Sequence, residues 1–300
     1  MTPLEAGLTG TVSAAIASPL VIQLLRRLKS QQIISEHIPE HQAKAGTPTM
    51  GGLIVLLAVL VSAVANWSGR DTGLLLLVLA YGLIGFVDDF VVPRLLAGKR
   101  GLGWKQKLLL QVFMTYGILS LHGGSTLSIA TGTFLVLMMS NAYNFSDGID
   151  GLAGTLGVFL FGFFLVAQPL QSSTIALVGG LLVFLAWNWF PAKVFMGDVG
   201  ALPIGAALGY RIWEASSGGW TLPTITGLSV LSLVMLIELV PVPVQILSVK
   251  LFGKRVFPKT PIHHAFQVAG WSELKIVSLF GGLQLACSVA AYFLLRGGSA

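Results

Sequence analysis

Apolar residues in this chain gather in long, mostly uncharged stretches, near residues 6 to 25, 50 to 67, 73 to 91, 107 to 121, 125 to 143, 152 to 168, 174 to 191, 201 to 213, 225 to 249 and 274 to 295. At ~1.5 Å rise per residue, about 20 residues cross a hydrocarbon layer roughly 30 Å thick, so the pattern predicts about ten transmembrane helices. The eighth stretch, Ala201 to Trp213, is short and needs extended ends or a tilt to span. In the ninth, Pro241 and Pro243 should break or bend the helix, because proline lacks the N–H and clashes with the preceding turn. There is no long polar linker and no internal repeat, so residues 1–300 read as one all-α, polytopic integral membrane domain.

Composition excludes the alternatives. The chain is 54% hydrophobic and 10% charged, against about 25% charged in a soluble domain. Its one cysteine, Cys287, allows neither an intrachain disulfide nor a thiolate zinc site. The net charge of +6 is explained by topology and needs no nucleic-acid partner. No basic residue precedes the first stretch, and Arg26, Arg27 and Lys29 follow it, the reverse of a cleavable signal peptide. With the N-terminus outside, ten crossings put fifteen of the 18 basic residues on the cytoplasmic side, leaving only Arg70, Arg211 and Arg296 outside, along with the C-terminus.

The same topology sorts the acids. Asp88, Asp89, Asp147, Asp150 and Asp198 fall at cytoplasmic helix ends and Asp71 alone faces outward. Two carboxylates about 5 Å apart repel by roughly 3 kcal/mol at an effective dielectric near 20, so a cluster at a partly dry border calls for a cation. Hard oxygen ligands select magnesium, which completes its shell with water and phosphate oxygens, so the expected substrate is a diphosphate.

Five segments carry the candidate chemistry. Lys44 leads into Gly46-Thr-Pro-Thr49-Met-Gly-Gly52, where glycines let backbone amides approach an anion, although such an entry to a membrane helix is common. In Gly85-Phe-Val-Asp88-Asp89, adjacent acids on a helix project about 100° apart and should not both face one ligand squarely; placed at a helix C-terminus, the pair also opposes the dipole. Asn141-Ala-Tyr-Asn144-Phe-Ser-Asp147-Gly148-Ile149-Asp150-Gly151 puts Asn141, Asn144 and Asp147 on one face if the helix continues, with amides suited to base edges and sugar hydroxyls; a capped helix end is the structural alternative. Asn188 is followed by Phe195-Met-Gly197-Asp198, a tight turn around an acid with an aromatic that stacks on a ring or simply packs. Pro261-Ile-His263-His264 holds neighbouring histidines that splay apart, poor as a metal clamp but able to bond phosphate oxygens, or else merely solvated. Glu238 and Gln245 flank the ninth-helix prolines, which either open a groove for a lipid tail or form a kink with Glu238 paired to another helix.

Together, GTPTMGG, GFVDD, NAYNFSDGIDGLA, VFMGD and PIHH resemble the phospho-N-acetylmuramoyl-pentapeptide transferase branch of the polyprenyl-phosphate N-acetylhexosamine-1-phosphate transferases, over roughly residues 40 to 275. The resemblance implies ten membrane helices in the inner (cytoplasmic) membrane, an active site facing the cytoplasm, and Mg²⁺-dependent transfer of a phosphosugar from a UDP donor to undecaprenyl phosphate, giving lipid I and UMP. It implies Asp198 as the metal ligand and Asp88, Asp89, Asp198, His263 and His264 as catalytic residues. Lys44, Thr49, Asn144, Asp147, Gly148, Ile149, Asp150, Asn188, Phe195 and Gln245 match substrate-binding positions. Three positions depart from the branch: Ala265 replaces a third histidine, Val92 a lysine after the acidic pair, and Ala201 a serine after Met-Gly-Asp. A transferase using UDP-N-acetylglucosamine is the nearest alternative and a transporter the remote one; a homodimer is left open.

Overall fold

The computed structural model describes residues 1–28, 46–66, 71–96 and 101–297, and among these no strand occurs. Twelve helices follow in order: α1 Pro3–Arg27, α2 Leu53–Ala65, α3 Thr72–Leu95, α4 Trp104–Ser120, α5 Thr126–Ser146, α6 Leu152–Ala167, α7 Ser172–Asn188, α8 Asp198–Ala215, α9 Leu222–Leu231, α10 Leu233–Phe252, α11 Ile262–Val268 and α12 Glu273–Gly297. Every predicted apolar stretch coincides with one of them, the ninth being divided between α9 and α10. Four helices, α1, α3, α10 and α12, are long and apolar enough to cross a membrane. The chain is a multi-pass membrane protein.

The short eighth stretch turns out to be the axis of the bundle. α8 gains three residues at its start and two at its end relative to the apolar run, reaching 18 residues, and every position from Val199 to Ile212 is buried. Its surface is small where it meets neighbours: Gly205 lies against Met139 and Ser140 of α5, Gly209 against Val136, and Gly200 against Gly52. Without a hydrophobic driving force between helices in lipid, such close backbone approach supplies the dispersion contacts that hold them together. A helix enclosed by protein needs no long lipid-facing apolar face, so its sequence looked too short.

The long helices alternate in direction, α9 and α10 continuing one another, which sorts polar groups to two ends. At one end Asp71, before α3, accepts from Arg211 of α8 at 3.2 Å and from Ser173 of α7 at 2.7 Å. The guanidinium is fully buried and also reaches Glu214. The start of α1 lies at this end, with Gly7 against Ser172 and Ile175. α12 runs parallel to α6, Gly281 meeting Thr155 and Ser288 bonding the Phe159 carbonyl, so its C-terminal end arrives there too. Asp88, Asp147 and Asp198 lie at the opposite end, roughly 24 Å away along the 16 residues separating Thr72 from Asp88.

The ninth stretch is interrupted twice. One interruption, at Ser232, lies about two and a half turns before the prolines; the other, at Val240, falls directly before Pro241, as the prolines predict, and Pro241 opens the next helical segment within α10, a position where a missing N–H costs nothing. Beyond it, Pro241 is the only buried residue through Phe252, with Ile246, Leu247, Leu251 and Phe252 exposed. This half of α10 leaves the bundle.

Candidate active site

Asp198 is the first residue of α8, where an acid complements the helix dipole. Gly197 before it has φ +72° and is crowded by Asp89 Oδ2, Thr49 Oγ1 and the Met50 amide, so only glycine fits this turn. The turn is anchored by the glycine-rich entry to α2: Phe195 N–H donates to the Pro48 carbonyl at 2.9 Å, and Gly51 and Gly52 N–H groups donate to the carbonyls of Phe195 and Met196 at 2.7 and 3.0 Å. Two motifs about 145 residues apart in the chain therefore form one scaffold.

Asp88 and Asp89 do both reach Asp198, contrary to the expectation that they diverge. One oxygen from each of the three carboxylates lies within 4.8 Å of the others. The pair sits on a π-helical turn, Val87–Val91, rather than at a helix end: α3 continues to Leu95, so the pair does not oppose a terminal dipole. Gly85, one turn earlier, lets the backbone of Asp198 settle directly against α3. The start of α8 thus lies between the two acids, with Asp89 accepting from Val199 N–H at 3.0 Å and Asp88 from Leu102 N–H at 2.7 Å. Such a set of hard oxygen donors could hold a metal ion.

Lys107, at the start of α4, bridges the cluster: its ammonium lies 2.9 Å from Asp88 Oδ2 and 2.5 Å from Asp198 Oδ2. In the sequence it reads only as a topological charge. Its one legible signal was its position at the start of an apolar stretch on the acidic side. Asn144 donates to the other oxygen of Asp198 at 2.7 Å. Asp147, just past α5, accepts from the Gly197 amide, and burial followed by the Asp198 charge holds its carboxyl well above the usual carboxylate range. Asn141 does not join them, bonding instead to Gln111 at 2.9 Å and to its own helix.

The remaining candidates divide into contacts and supports. Asp150 accepts from Ala192 N–H, while the buried Asn188 spends its amide on Gly151 N–H and the Val194 carbonyl, tying the two loops together. Ile149 is buried, and Gly148 and Phe195 are half-buried. Thr49 Oγ1 is buried with no hydrogen-bond partner among the described residues. Gln245 bonds the backbone of Val256 and Phe257, bracing the segment that leads to α11. His263 is fully buried and joins Glu238, and its ring lies against Gly148. His264 packs beside it with ring centroids 4.2 Å apart and bonds Gln267 at 2.6 Å. Lys44 lies outside the described residues.

An apolar cavity of about 600 Å³ opens between α4, α5 and α10, lined by Leu108, Phe134, Leu137, Leu236 and Leu247 among others, with Asn141 its polar member. Leu108 follows Lys107 directly and Asn141 is one turn from Asn144, so the cavity begins within about one helical turn of the two groups that bond Asp198.

A carboxylate cluster beside an apolar cavity in a multi-pass bundle suits an enzyme acting where lipid and charged substrate meet. Residues 72–215 match the model for glycosyl transferase family 4, and residues 44–56 match signature 1 of phospho-N-acetylmuramoyl-pentapeptide-transferase. The phospho-N-acetylmuramoyl-pentapeptide-transferase of Symbiobacterium thermophilum is 38% identical over 97% of this chain and 95% of its own length. Those of Halalkalibacterium halodurans and Bacillus subtilis are 39% and 35% identical, each comparison covering 94% or more of both proteins. The chain is a phosphosugar-transferring enzyme. It belongs to the phospho-N-acetylmuramoyl-pentapeptide-transferase family.

Proposed function

We propose that this enzyme transfers phospho-N-acetylmuramoyl-pentapeptide from its UDP donor to undecaprenyl phosphate at the cytoplasmic face of the inner membrane, giving lipid I and UMP. The observation that carries the reading is the adjacency of the Asp88, Asp89 and Asp198 cluster to the apolar cavity beside Lys107 and Asn141. A diphosphate and a polyprenyl chain need those two environments side by side.

The carboxylate oxygens suit Mg²⁺, with Asp198 as its principal ligand; bound there, it would offset charge on the phosphoryl oxygens. Asp88 orients the acceptor phosphate beside the cluster and can take a proton from it. A phosphate monoester already carries a nucleophilic oxygen near neutral pH, so orientation contributes more than proton removal. Lys107 exchanges a carboxylate contact for a phosphate oxygen. Asn144, Asp147, Gly148, Ile149, Asp150 and Phe195 form the nucleoside side of the donor pocket, with Asn188 and Gln245 bracing its walls. Thr49 approaches from the segment before α2, Lys44 is assigned to the donor by the family resemblance alone, and His263 and His264 close the pocket opposite Gly148. Polyprenyl carbons lie along the cavity walled by α10.

Purified protein given equal amounts of UDP-N-acetylmuramoyl-pentapeptide and UDP-N-acetylglucosamine should yield only the heavier lipid product by mass spectrometry. Product from N-acetylglucosamine alone would move the enzyme to the neighbouring branch. Asp198→Asn should lower UMP release by at least about 10³-fold while the melting temperature in detergent stays near that of the parent. Undiminished turnover in that variant would remove Asp198 from the chemistry.

A further inference from the structure

Glu238 is fully buried, as is His263 of α11, its one hydrogen-bond partner among the described residues. Its two oxygens are divided between two groups of that one residue: Oε1 accepts the His263 backbone N–H at 3.2 Å, and Oε2 lies 2.8 Å from Nδ1. A carboxylate at this distance accepts a hydrogen bond from Nδ1–H, so the ring's orientation and tautomer are decided together. The opposite ring nitrogen, Nε2, is buried without any hydrogen-bond partner among the described residues and faces Gly148, where a Cβ would collide with it. A buried imidazole nitrogen left unbonded is costly in a finished core but useful where a ligand supplies the missing bond.

We infer that Glu238 is a positioning residue of the transferase: it fixes His263 so that Nε2 alone is presented over Gly148 to the UDP-linked donor. The inference rests on the reading of the Gly148 loop as donor pocket. It also explains an acid inside an apolar stretch, since this carboxylate serves the site from behind and does not line a lipid groove. The effect of Glu238→Gln follows from the geometry. An amide has one acceptor where two are needed, so its NH₂ group must face either the backbone N–H or Nδ1. The latter arrangement forces the proton onto Nε2 and inverts what the donor meets.

The test is a double-mutant cycle on the full-length enzyme in lipid nanodiscs, read as UMP release. His263→Asn keeps an amide N–H near the Nδ1 position for Glu238 but deletes Nε2. Glu238→Gln and His263→Asn should each lower kcat/KM for the donor on the order of 10²-fold, with melting temperatures close to the parent, and the double variant should be no slower than His263→Asn alone. Additive losses, or either single variant within twofold of the parent, would overturn the assignment; if Glu238→Gln does not fold, His263→Asn still decides. Nitrogen-15 histidine spectra give an answer independent of turnover. The His263 signal, identified by its loss in His263→Asn, should carry its proton on Nδ1, and a bare Nδ1 with protonated Nε2 would overturn the inference. Failure of the parent to release UMP from any UDP-sugar would instead reject the donor reading and leave the spectroscopic result standing.

Discussion

Lys107 holds Asp88 and Asp198 together in a partly buried setting, with only 20% of its side chain exposed. Opposite charges about 4 Å apart attract by roughly 4 kcal/mol at an effective dielectric of 20, enough to keep the carboxylates gathered without another cation. The same ammonium competes with any divalent ion for those oxygens. Lys107→Met should therefore have opposite effects on two measured quantities: turnover falls, on the order of 10²-fold, while half-saturating magnesium decreases several-fold. Steady-state assays over a magnesium titration check this, and a higher magnesium requirement would show that the lysine does not compete. At this scale the acids were legible from the sequence, because carboxylates segregated to one side of an apolar chain need a reason. Lys107 was not, because a lysine at a membrane border already has one.

Among the helices, the small-residue surface of α8 and the clasp at the far end do different work. Gly205 and Gly209 set the distance to α5, and a β-branched residue at either position would push two backbones apart. The clasp ties the beginnings of α3 and α7 to the end of α8 through a guanidinium with no exposed surface. Removing one partner of a buried pair costs about 3 to 5 kcal/mol because the remaining charge loses its compensation. Arg211→Met should accordingly lower the thermal melting point by several degrees, while UMP release at low temperature stays within a few-fold, since the clasp lies far from Asp198. Loss of activity without loss of stability would contradict that division. The apolar pattern located these helices well because lipid exposure demands long uninterrupted runs. It misjudged the length of α8 and missed the earlier break at Ser232, because α8 is enclosed by protein and Ser232 carries no proline signal, whereas the break before Pro241 falls where the prolines predict.

For the molecule as a whole, alternation of the helices carries the five acids to one end and the Asp71–Arg211–Ser173 clasp, with the start of α1 and the end of α12, to the other. The proposed orientation, which the bias of basic residues supports, turns the acidic end to the cytoplasm. The sole cysteine, Cys287, is buried, so single introduced cysteines report orientation cleanly. Ser217→Cys, exposed past the end of α8, should react with a membrane-impermeant maleimide in intact cells, whereas Lys254→Cys, exposed past α10, should react only after permeabilisation. The reverse pattern would place the site on the outer face and remove access to a cytoplasmic UDP donor.

By itself the amino-acid order determined which segments are apolar, which acidic segments share one end of the bundle, and which acids, amides and histidines are available there. These are properties of short stretches, because partition into lipid and the bias of positive charge act on local composition. Only the tertiary structure decided that Asp88 and Asp89 converge on Asp198 through a π-helical turn, that Lys107 bridges Asp88 and Asp198, that Asn188 and Gln245 brace loops, and that Glu238 belongs to His263. Each of those depends on two or more helices approaching within hydrogen-bonding distance. That approach is set by glycines meeting backbones across the bundle, a relation between residues far apart in the chain that no local pattern encodes.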